Sequence, residues 1–302
     1  MKQSSQKTTS STGRIWLRRI GIVLASLVVL VLAFYAFVYF QTESRINKVY
    51  EVSLQKLPIP DDSASYALGK HVAETRGCLG CHGQNLAGGR ALADESTPIG
   101  VLYVPNITSG KGGIQYTDED YIRVLRHGLN KENKPVWFMP SHEVCHISNQ
   151  DMAALIGYLK KQPPVDHTVP EKSLKPLGRF LTFIGEFPLL PAEKIDHATT
   201  VYVDKVTIAD NAETGQYLAT TCQGCHGPQF KGAAPHGPNE PPIPDISSTG
   251  KVGKWSEAGF VNLFHTGKTP EGKLLSQYMP VKEFNYSDQE LRAIYKHLHQ
   301  SK

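Results

Sequence analysis

Two short strings of cysteine and histidine are the residues in this chain whose types and spacing can support chemistry. Both have the pattern Cys-x-x-Cys-His: they are Cys78, Cys81 and His82 and, 144 residues later, Cys222, Cys225 and His226. On one helical turn the three side chains of such a string project to the same side. This geometry suits covalent haem attachment, in which two thiols form thioethers with the porphyrin vinyl groups and the adjacent imidazole reaches the iron. We therefore predict two covalently bound haem c groups.

Three other functions of the strings fit less well. A structural zinc site takes about four protein ligands, whereas each string offers only part of such a set. A thioredoxin-like motif requires a strand–helix context, which the flanking sequence lacks. A disulfide within one string would leave its histidine and the repeat unexplained.

Two methionines are the predicted sixth ligands of the irons. Met139 and Met279 follow the histidines of their strings by 57 and 53 residues, and each precedes a proline. Of the four methionines in the chain, these two match each other across the repeat. Histidine–methionine ligation raises the reduction potential of haem iron, which suits an electron carrier. The predicted axial pairs are His82 with Met139 and His226 with Met279.

The fifth cysteine, Cys145, lies in the segment His142-Glu143-Val144-Cys145-His146 and has no counterpart in the repeat. It could hold a third haem by one thioether. Its thiolate could instead ligate the first haem, which would make the protein an enzyme of the thiosulfate type. We favour a third interpretation, a buried thiol without a role in haem binding. His142 and His146 compete with Met139 as axial ligands.

The two strings belong to a longer internal repeat. Four further pairs of segments recur in the same order, and the offset between partners drifts only from 144 to 139 residues. The pairs are 105–108 with 244–247, 116–117 with 255–256, 139–140 with 279–280, and 148–151 with 287–290. We therefore predict two homologous domains of about 100 residues each, a common domain size.

Each repeat is predicted to be a small helical unit. Acidic residues early and basic residues late in 116–126 favour a helix there, and Gly128 and Gly267 mark helix ends. Capping boxes open the last helices, at Ser148 with Asp151 and at Ser287 with Glu290. Long strand-like alternation is absent from the sequence. The predicted fold class is therefore all-α.

An uncharged run of 21 residues, Ile20 to Phe40, has the length of one transmembrane helix. A cleaved signal has an apolar region of roughly 7–15 residues and a small-residue cleavage site, neither of which this run shows. The basic residues before it predict a cytoplasmic N-terminus. They are Lys2, Lys7, Arg14, Arg18 and Arg19. We expect a retained single-pass anchor with residues 41–302 on the outer side.

Charge outside the basic tail is nearly balanced. Five of the 32 Lys and Arg residues lie in 1–19, and all 28 Asp and Glu residues lie beyond it. The excess positive charge is therefore no sign of a nucleic-acid-binding face. The modest charge and the 40% apolar residues also argue against disorder of the whole chain.

A proline-marked connector, 163–204, separates the repeats. Within it Leu177, Phe180, Leu181 and Ile184 fall at i, i+3, i+4 and i+7, which predicts one apolar helical stripe. The stripe either packs against a neighbouring domain or docks a partner protein or the membrane surface.

The order of these motifs resembles that in the cytochrome c domains of membrane-bound bacterial dehydrogenases. The resemblance is carried by the Cys-x-x-Cys-His strings, Asn106-Ile107-Thr108 with Gly113, Arg126-x-Gly128, Met139-Pro140 and a final capped helix. It covers about residues 64–302 and is greatest to the cytochrome subunits of alcohol, aldehyde and gluconate dehydrogenases. It implies electron transfer from a catalytic subunit to quinone or another carrier. It also implies haem attachment on the periplasmic side and a contact between Arg126 and a haem propionate.

The expected fold is two tandem cytochrome c domains behind one N-terminal transmembrane helix. The predicted segments are a cytoplasmic tail 1–19, a transmembrane helix 20–40, a linker 41–62, cytochrome c domains 63–162 and 205–302, and the connector 163–204. The expected function is a non-enzymatic relay of single electrons, between a dehydrogenase or quinol donor and a respiratory acceptor at the bacterial inner membrane. The alternatives are a dihaem peroxidase or thiosulfate-type enzyme, and a dihaem subunit of a haem–copper oxidase. A peroxidase needs an open ligand position on one haem, and the two Met-Pro matches argue against one.

Overall fold

The computed structural model of the protein describes residues 11–235 and 240–301. Lys2 and Lys7 of the basic tail lie outside the described residues. Helices dominate the described part, which confirms the predicted fold class. The α-helices are α1 (Ser11–Ile46), α2 (Ser63–Thr75), α3 (Cys78–His82), α4 (Asp118–His127), α5 (Ser141–Val144), α6 (Asn149–Lys160), α7 (Pro176–Ile184), α8 (Ala212–His226), α9 (Glu257–Thr266) and α10 (Asp288–Gln300). Short 3-10 helices cover Pro191–Lys194, Val252–Lys254 and Val281–Glu283.

A small antiparallel sheet joins the connector to the first repeat. Its strands are β1 (Ala91–Ala93), β2 (Gly100–Tyr103) and β3 (Ser173–Leu174), in the order β1-β2-β3. Strands this short leave no long alternating pattern in the sequence. The sheet therefore went unpredicted, although it fixes the start of the connector to the loop after the first haem string.

The same pair of crossing helices builds the core of each repeat. α2 packs against α6, and α8 packs against α10. At each crossing a glycine lies so close to the partner helix that an added Cβ would overlap a backbone oxygen. The overlaps are Gly69 with the carbonyl of Ala154, and Gly215 with the carbonyl of Ala293. Each crossing therefore requires a residue without a Cβ.

Most of the predicted helix ends are confirmed. Gly128 and Gly267 are the C-caps of α4 and α9 and have φ angles of 66° and 68°, in the left-handed region that glycine tolerates best. Ser287 and Glu290 form the complete capping box at the start of α10. A further capping box at the start of α4, Thr117 with Asp120, was not anticipated.

The capping box predicted at Ser148 is incomplete, so that prediction is wrong in part. The Ser148 hydroxyl accepts the N–H of Asp151 at 3.1 Å. The Asp151 carboxylate does not reach back, because it accepts the hydroxyl proton of Tyr217 from the second repeat. The Ser148 N–H donates to the same Tyr217 oxygen at 2.9 Å. A contact between repeats thus replaces one local bond.

Helix α1 is long and apolar enough to cross a membrane. Among the described helices it is the one with this length and composition, over Gly13–Ile46. Its most apolar 18-residue segment has a mean hydropathy of 2.8, and none of that segment is buried. The helix continues past the predicted end at residue 40 because polar contacts hold its last turns. Arg45, for example, donates to the backbone carbonyl of Thr182 at 3.0 Å.

Helix α7 of the connector packs on the end of α1. Its buried residues are Gly178 and Thr182, whereas Leu177, Phe180 and Ile184 of the predicted stripe are 41%, 37% and 47% exposed. The fourth residue of the stripe, Leu181, is half-buried, and the Phe180 ring contacts the Phe34 ring of α1 with centroids 6.4 Å apart, so the stripe does not pack as a whole against a neighbouring domain. On the other face of α7, Gly178 lies so close to the carbonyl oxygen of Ile99 that an added Cβ would overlap it, which brings α7 against the first repeat.

Candidate haem sites

Each Cys-x-x-Cys-His string occupies one helical turn, but the chain enters the two turns differently. The first string is the separate helix α3, which follows Gly77 in the left-handed conformation (φ 74°). The second string is the last turn of α8, which runs from Ala212 without a break. Between the helix-crossing glycine and the string, the first repeat is two residues longer than the second. This insertion is what separates α2 from α3.

The four cysteines of the strings are free thiols. Cys78 and Cys222 are half-buried at the edges of the two cores, and Cys81 and Cys225 are exposed. Burial raises the pKa of Cys78 and Cys222 to about 12, so these thiols are protonated at neutral pH. Because no thiol of either string is in a disulfide, each string can form two thioethers, as haem c requires.

The histidines of the two strings are oriented by matching backbone carbonyls. The Nδ1 atom of His82 lies 3.0 Å from the carbonyl oxygen of Pro105, and Nδ1 of His226 lies 2.8 Å from that of Pro244. The carbonyl fixes the proton on Nδ1, so Nε2 keeps its lone pair for a metal. Burial lowers the pKa of both imidazoles, which favours the neutral form that binds iron.

The proline carbonyls are held in place by the segment that recurs after each string. The Asn106 carboxamide oxygen accepts the N–H of Thr108 at 2.9 Å. At the matching position the Asp245 carboxylate accepts the N–H of Ser247 at 2.8 Å. Such turns are a property of Asn and Asp side chains. The repeated segment therefore positions the histidines, a role that the sequence alone did not reveal.

The loop after each string adopts the same unusual conformation. Leu86 and Phe230 have φ angles of 58° and 60°, although neither is glycine. Both side chains are buried, and their N–H groups donate to the carbonyls of Gly83 and Gly227 at 3.0 Å. Leucine and phenylalanine rarely adopt this region. Core packing stabilises it here, and no local sequence signal could have predicted it.

The predicted methionine ligands lie on matching loops. Each loop begins with a backbone bond to a helix-ending glycine: Val136 donates to Gly128 at 2.8 Å and Leu275 to Gly267 at 2.9 Å. Met139 packs against the first core, whose edge also includes Cys78. Met279 is half-buried and lies outside the described second core, which Cys222 borders. In the first repeat the structure therefore brings thiol and thioether to one core.

The repeats meet through contacts that come in matched pairs. His71 of α2 contacts Glu290 of α10, with 2.8 Å between Nε2 and Oε1. At the matching positions, Tyr217 of α8 donates to Asp151 of α6. The two repeats are therefore related by an approximate twofold axis, and the helices that precede the strings lie next to it.

Each string faces a glutamate of the other repeat. Glu283 lies so close to Gly80 that an added Cβ would overlap its carboxylate, and Glu143 lies in the same way against Gly224. Burial raises the pKa of Glu143 to about 7. Neither glutamate was predicted from the sequence as part of the site, although each stands four residues after a predicted methionine ligand. The contacts place both strings at the domain interface.

Comparison with known proteins identifies the family. A family model described as Cytochrome c matches residues 66–163 and 212–302, more than half of the chain. The chain belongs to the cytochrome c family. The free thiols and the oriented histidines fit the covalently bound haem c that this family carries, and the predicted electron-transfer protein is confirmed.

Three relatives sharpen the comparison. The cytochrome c subunit of alcohol dehydrogenase (quinone) from Gluconobacter oxydans is 28% identical over 271 residues, 78% of this cytochrome and 55% of the relative. The gluconate 2-dehydrogenase cytochrome c subunit from Pantoea cypripedii is 36% identical over 110 residues, 33% of this chain and 24% of the relative. A diheme cytochrome c-type protein from Cereibacter sphaeroides is 26% identical over 228 residues, 67% of this chain and 73% of the relative. The chain thus spans about half or less of the first two relatives.

Arg126 is a buried residue at the end of α4. Its guanidinium is 1% exposed and donates to the carbonyls of Cys145 and Ile147 and to the Asn149 side chain. It also lies 3.8 Å from the ring of Tyr202. The contact between Arg126 and a haem propionate stays a prediction of the resemblance. The residue ties α4 to the start of α6.

Cys145 is a fully buried thiol, as we favoured from the sequence. Its sulfur donates weakly to the carbonyl of His142 at 3.4 Å. Burial raises its pKa to about 11, so the thiolate needed for iron ligation is disfavoured. His142, a competing ligand, is half-buried beside Glu143, and burial lowers its pKa to about 4.

Proposed function

We propose that this cytochrome is a membrane-anchored dihaem electron relay. The observation that carries the proposal is the approximate twofold contact that sets each haem string against a glutamate of the other repeat. When bound, haem c supplies one-electron chemistry at iron. Two such groups whose attachment strings share one interface can exchange electrons within the chain.

The proposed haem ligands are those of the two repeats. Four cysteines would hold the porphyrins covalently and two His–Met pairs would hold the irons. The covalent residues are Cys78, Cys81, Cys222 and Cys225, and the axial pairs are His82 with Met139 and His226 with Met279. The proline carbonyls fix the imidazoles. With both His–Met pairs bound, the irons would offer no open position to peroxide or another substrate, which supports transfer without bond chemistry.

The anchor and its orientation are also proposals. An apolar α1 with no buried window and basic residues at its start, Arg14, Arg18 and Arg19, supports a single crossing with a cytoplasmic N-terminus. The two haem domains, proposed at 63–162 and 205–302, then lie in the periplasm of a bacterium. Protease added to spheroplasts should digest both domains, and full protection of residues 41–302 would contradict this topology.

The proposed donor is a dehydrogenase subunit or quinol, and the proposed acceptor is a respiratory carrier. Support comes from two relatives named as cytochrome c subunits of dehydrogenases. Oxidase subunits are the alternative partners predicted from the sequence.

A redox titration of the purified full-length protein tests the relay. We expect two one-electron steps per chain and no turnover of hydrogen peroxide. The variant with both Cys222→Ala and Cys225→Ala should keep one step and the signal of the first haem. Catalytic consumption of peroxide by the natural protein, or a single electron per chain, would contradict the proposal.

A further inference from the structure

The surface where α7 meets α1 is aromatic. The Phe183 ring packs edge-on against Phe37 and Phe34, with centroids 5.7 Å and 6.5 Å apart. Phe180 approaches Phe34 at 6.4 Å. Phe34 and Phe37 both belong to the uncharged run of 20–40. Helix α7 therefore touches the part of α1 that we propose to lie in the bilayer.

Polar contacts fix α7 on this surface from the side of the haem domains. Arg179 of α7 forms an ion pair with Glu43 at 2.7 Å, and Arg45 of α1 binds Glu193 of the connector at 2.6 Å. These ion pairs follow the apolar run of α1, where its outer end enters the water. Along the axis of α1, the charged residues of both helices thus lie near Glu43 and Arg45, and the phenylalanines lie near Phe34 and Phe37.

The outward face of α7 continues the apolar surface of α1. Leu177, Phe180 and Ile184 are 41%, 37% and 47% exposed, and Phe34 and Phe37 of α1 are each 51% exposed. The only charged residue within α7 is Arg179, which is already paired. A helix with one such apolar face and charges beside it is the kind that lies in a membrane interface.

We propose that α7 is an interfacial helix that inserts Leu177, Phe180 and Ile184 into the outer leaflet beside α1. The inference rests on the proposed membrane crossing of α1. With one crossing helix and one interfacial helix joined by ion pairs, the first haem domain is held at a fixed height and tilt above the bilayer. A partner that exchanges electrons with the protein must therefore approach along the membrane.

Accessibility of single engineered cysteines tests this proposal. The full-length haem protein is placed, one chain per nanodisc, in phosphatidylcholine and phosphatidylglycerol, so that no second copy can cover α7. Ile184→Cys is the test position, and Val29→Cys within α1 reports on the anchor. Val201→Cys is the aqueous control, because Val201 is 91% exposed in the connector. The natural protein gives the background from Cys145, which is buried.

We expect a membrane-impermeant maleimide to react about tenfold or more slower at Ile184→Cys than at Val201→Cys, because hydrocarbon suppresses the reactive thiolate. Val29→Cys should be protected as well. If Ile184→Cys reacts as fast as Val201→Cys while Val29→Cys is protected, α7 lies in water and the inference fails, but the anchor stands. If Val29→Cys also reacts fast, the proposed crossing itself is wrong.

Discussion

The two haem domains share the parts that hold the haem and differ in what surrounds them. Both have the glycine helix crossing, the proline carbonyl on the histidine and the left-handed loop. Within the described residues, the three-stranded sheet and the methionine on the core belong to the first domain, which also contacts the connector that packs on α1. The repeated parts are those that the chemistry needs, and the unshared parts fix one domain to the anchor.

The two-residue insertion in the first domain contributes a contact between the domains. Arg76 breaks α2 from α3 and donates to the carbonyl of Tyr217 at 3.1 Å and to the hydroxyl of Thr220 at 2.7 Å. Its guanidinium also lies 4.8 Å from the Tyr217 ring. The second domain has no equivalent residue. One added cation therefore joins two similar domains that meet in a fixed orientation.

The largest expected effect comes from removing one string. The double variants Cys78→Ala with Cys81→Ala, and Cys222→Ala with Cys225→Ala, should each lose about half of the haem, because one porphyrin loses both covalent attachments. Haem content per chain, measured as the pyridine haemochrome, checks this. Two haems retained in either variant would show that its string is not an attachment site.

The helix crossings should be equally sensitive in both domains. Gly69→Ala and Gly215→Ala each place a Cβ on a backbone oxygen, and overpacking of this kind costs about 3 kcal/mol. Thermal unfolding followed by circular dichroism should show a lower midpoint for both. Gly21→Ala is the matched control, since nothing lies within 4 Å of that position. A large effect in only one domain would break the structural equivalence of the repeats.

The matched interface contacts should differ in their response to pH. The Glu290 carboxylate raises the pKa of His71 above 6.5, and the pKa of Glu290 lies below 4.5 because hydrogen bonds from His71 and Ser287 outweigh its burial. The His71 contribution is complete below 6.5 and is lost as pH rises through its folded pKa. The Glu290 contribution is complete above 4.5 and is lost as pH falls.

The pair should therefore stabilise the interface most between about pH 4.5 and 6.5. The loss above that window should be roughly 1 kcal/mol or less, because His71 is partly exposed and water screens the pair. Urea midpoints at pH 6 and pH 8.5 measure it. The difference between the two pH values should become smaller in His71→Gln and stay unchanged in Tyr217→Phe, which removes the matching contact. The difference that remains in His71→Gln comes from Glu143, whose pKa of about 7 lies between the two test values. An unchanged difference in His71→Gln would exclude this pair as a source.

The smallest effect on the haem groups is expected at Cys145, which has no counterpart in the second domain. Cys145→Ser should leave haem content and the visible spectrum unchanged, since the buried thiol is not a ligand. A modest loss of stability, about 1 kcal/mol, reflects the hydroxyl in an apolar site. A lost or shifted low-spin signal would instead revive thiolate ligation and the thiosulfate-type enzyme.

Local patterns in the sequence were sufficient for much of the fold and the site. Three features could be predicted because they depend on residues close together in the chain: the helical turn of each string, the repeat, and the helix ends at Gly128 and Gly267. The structure agrees with these predictions. The recurrence of Pro105 and Pro244 was also evident in the sequence. Their role in orienting the histidines became clear only from the distance between each proline carbonyl and the histidine ring.

Features that depend on contacts between distant segments could not be predicted in this way. Tyr217 of the second domain binds the Asp151 carboxylate, which would otherwise complete the capping box with Ser148. Glu143 and Glu283 reach the string of the opposite domain only after the two domains dock. Arg126 donates to the backbone carbonyls of Cys145 and Ile147, which lie 19 and 21 residues away in the chain and belong to no sequence motif. The apolar stripe on α7 was predicted from the helical spacing of its residues, but which face of the helix is buried depends on where α1 lies.

Iron ligation by one methionine in each domain is the central claim, and the near-infrared spectrum of the oxidised protein tests it most directly. We predict the weak band of methionine–iron coordination at a strength that fits two sites. Met139→Ala and Met279→Ala should each remove about half of it, because one sulfur ligand is lost in each. Met152→Ala, in the buried core, should leave it unchanged. A band that survives either ligand substitution, or a high-spin signal in the natural protein, would contradict the account.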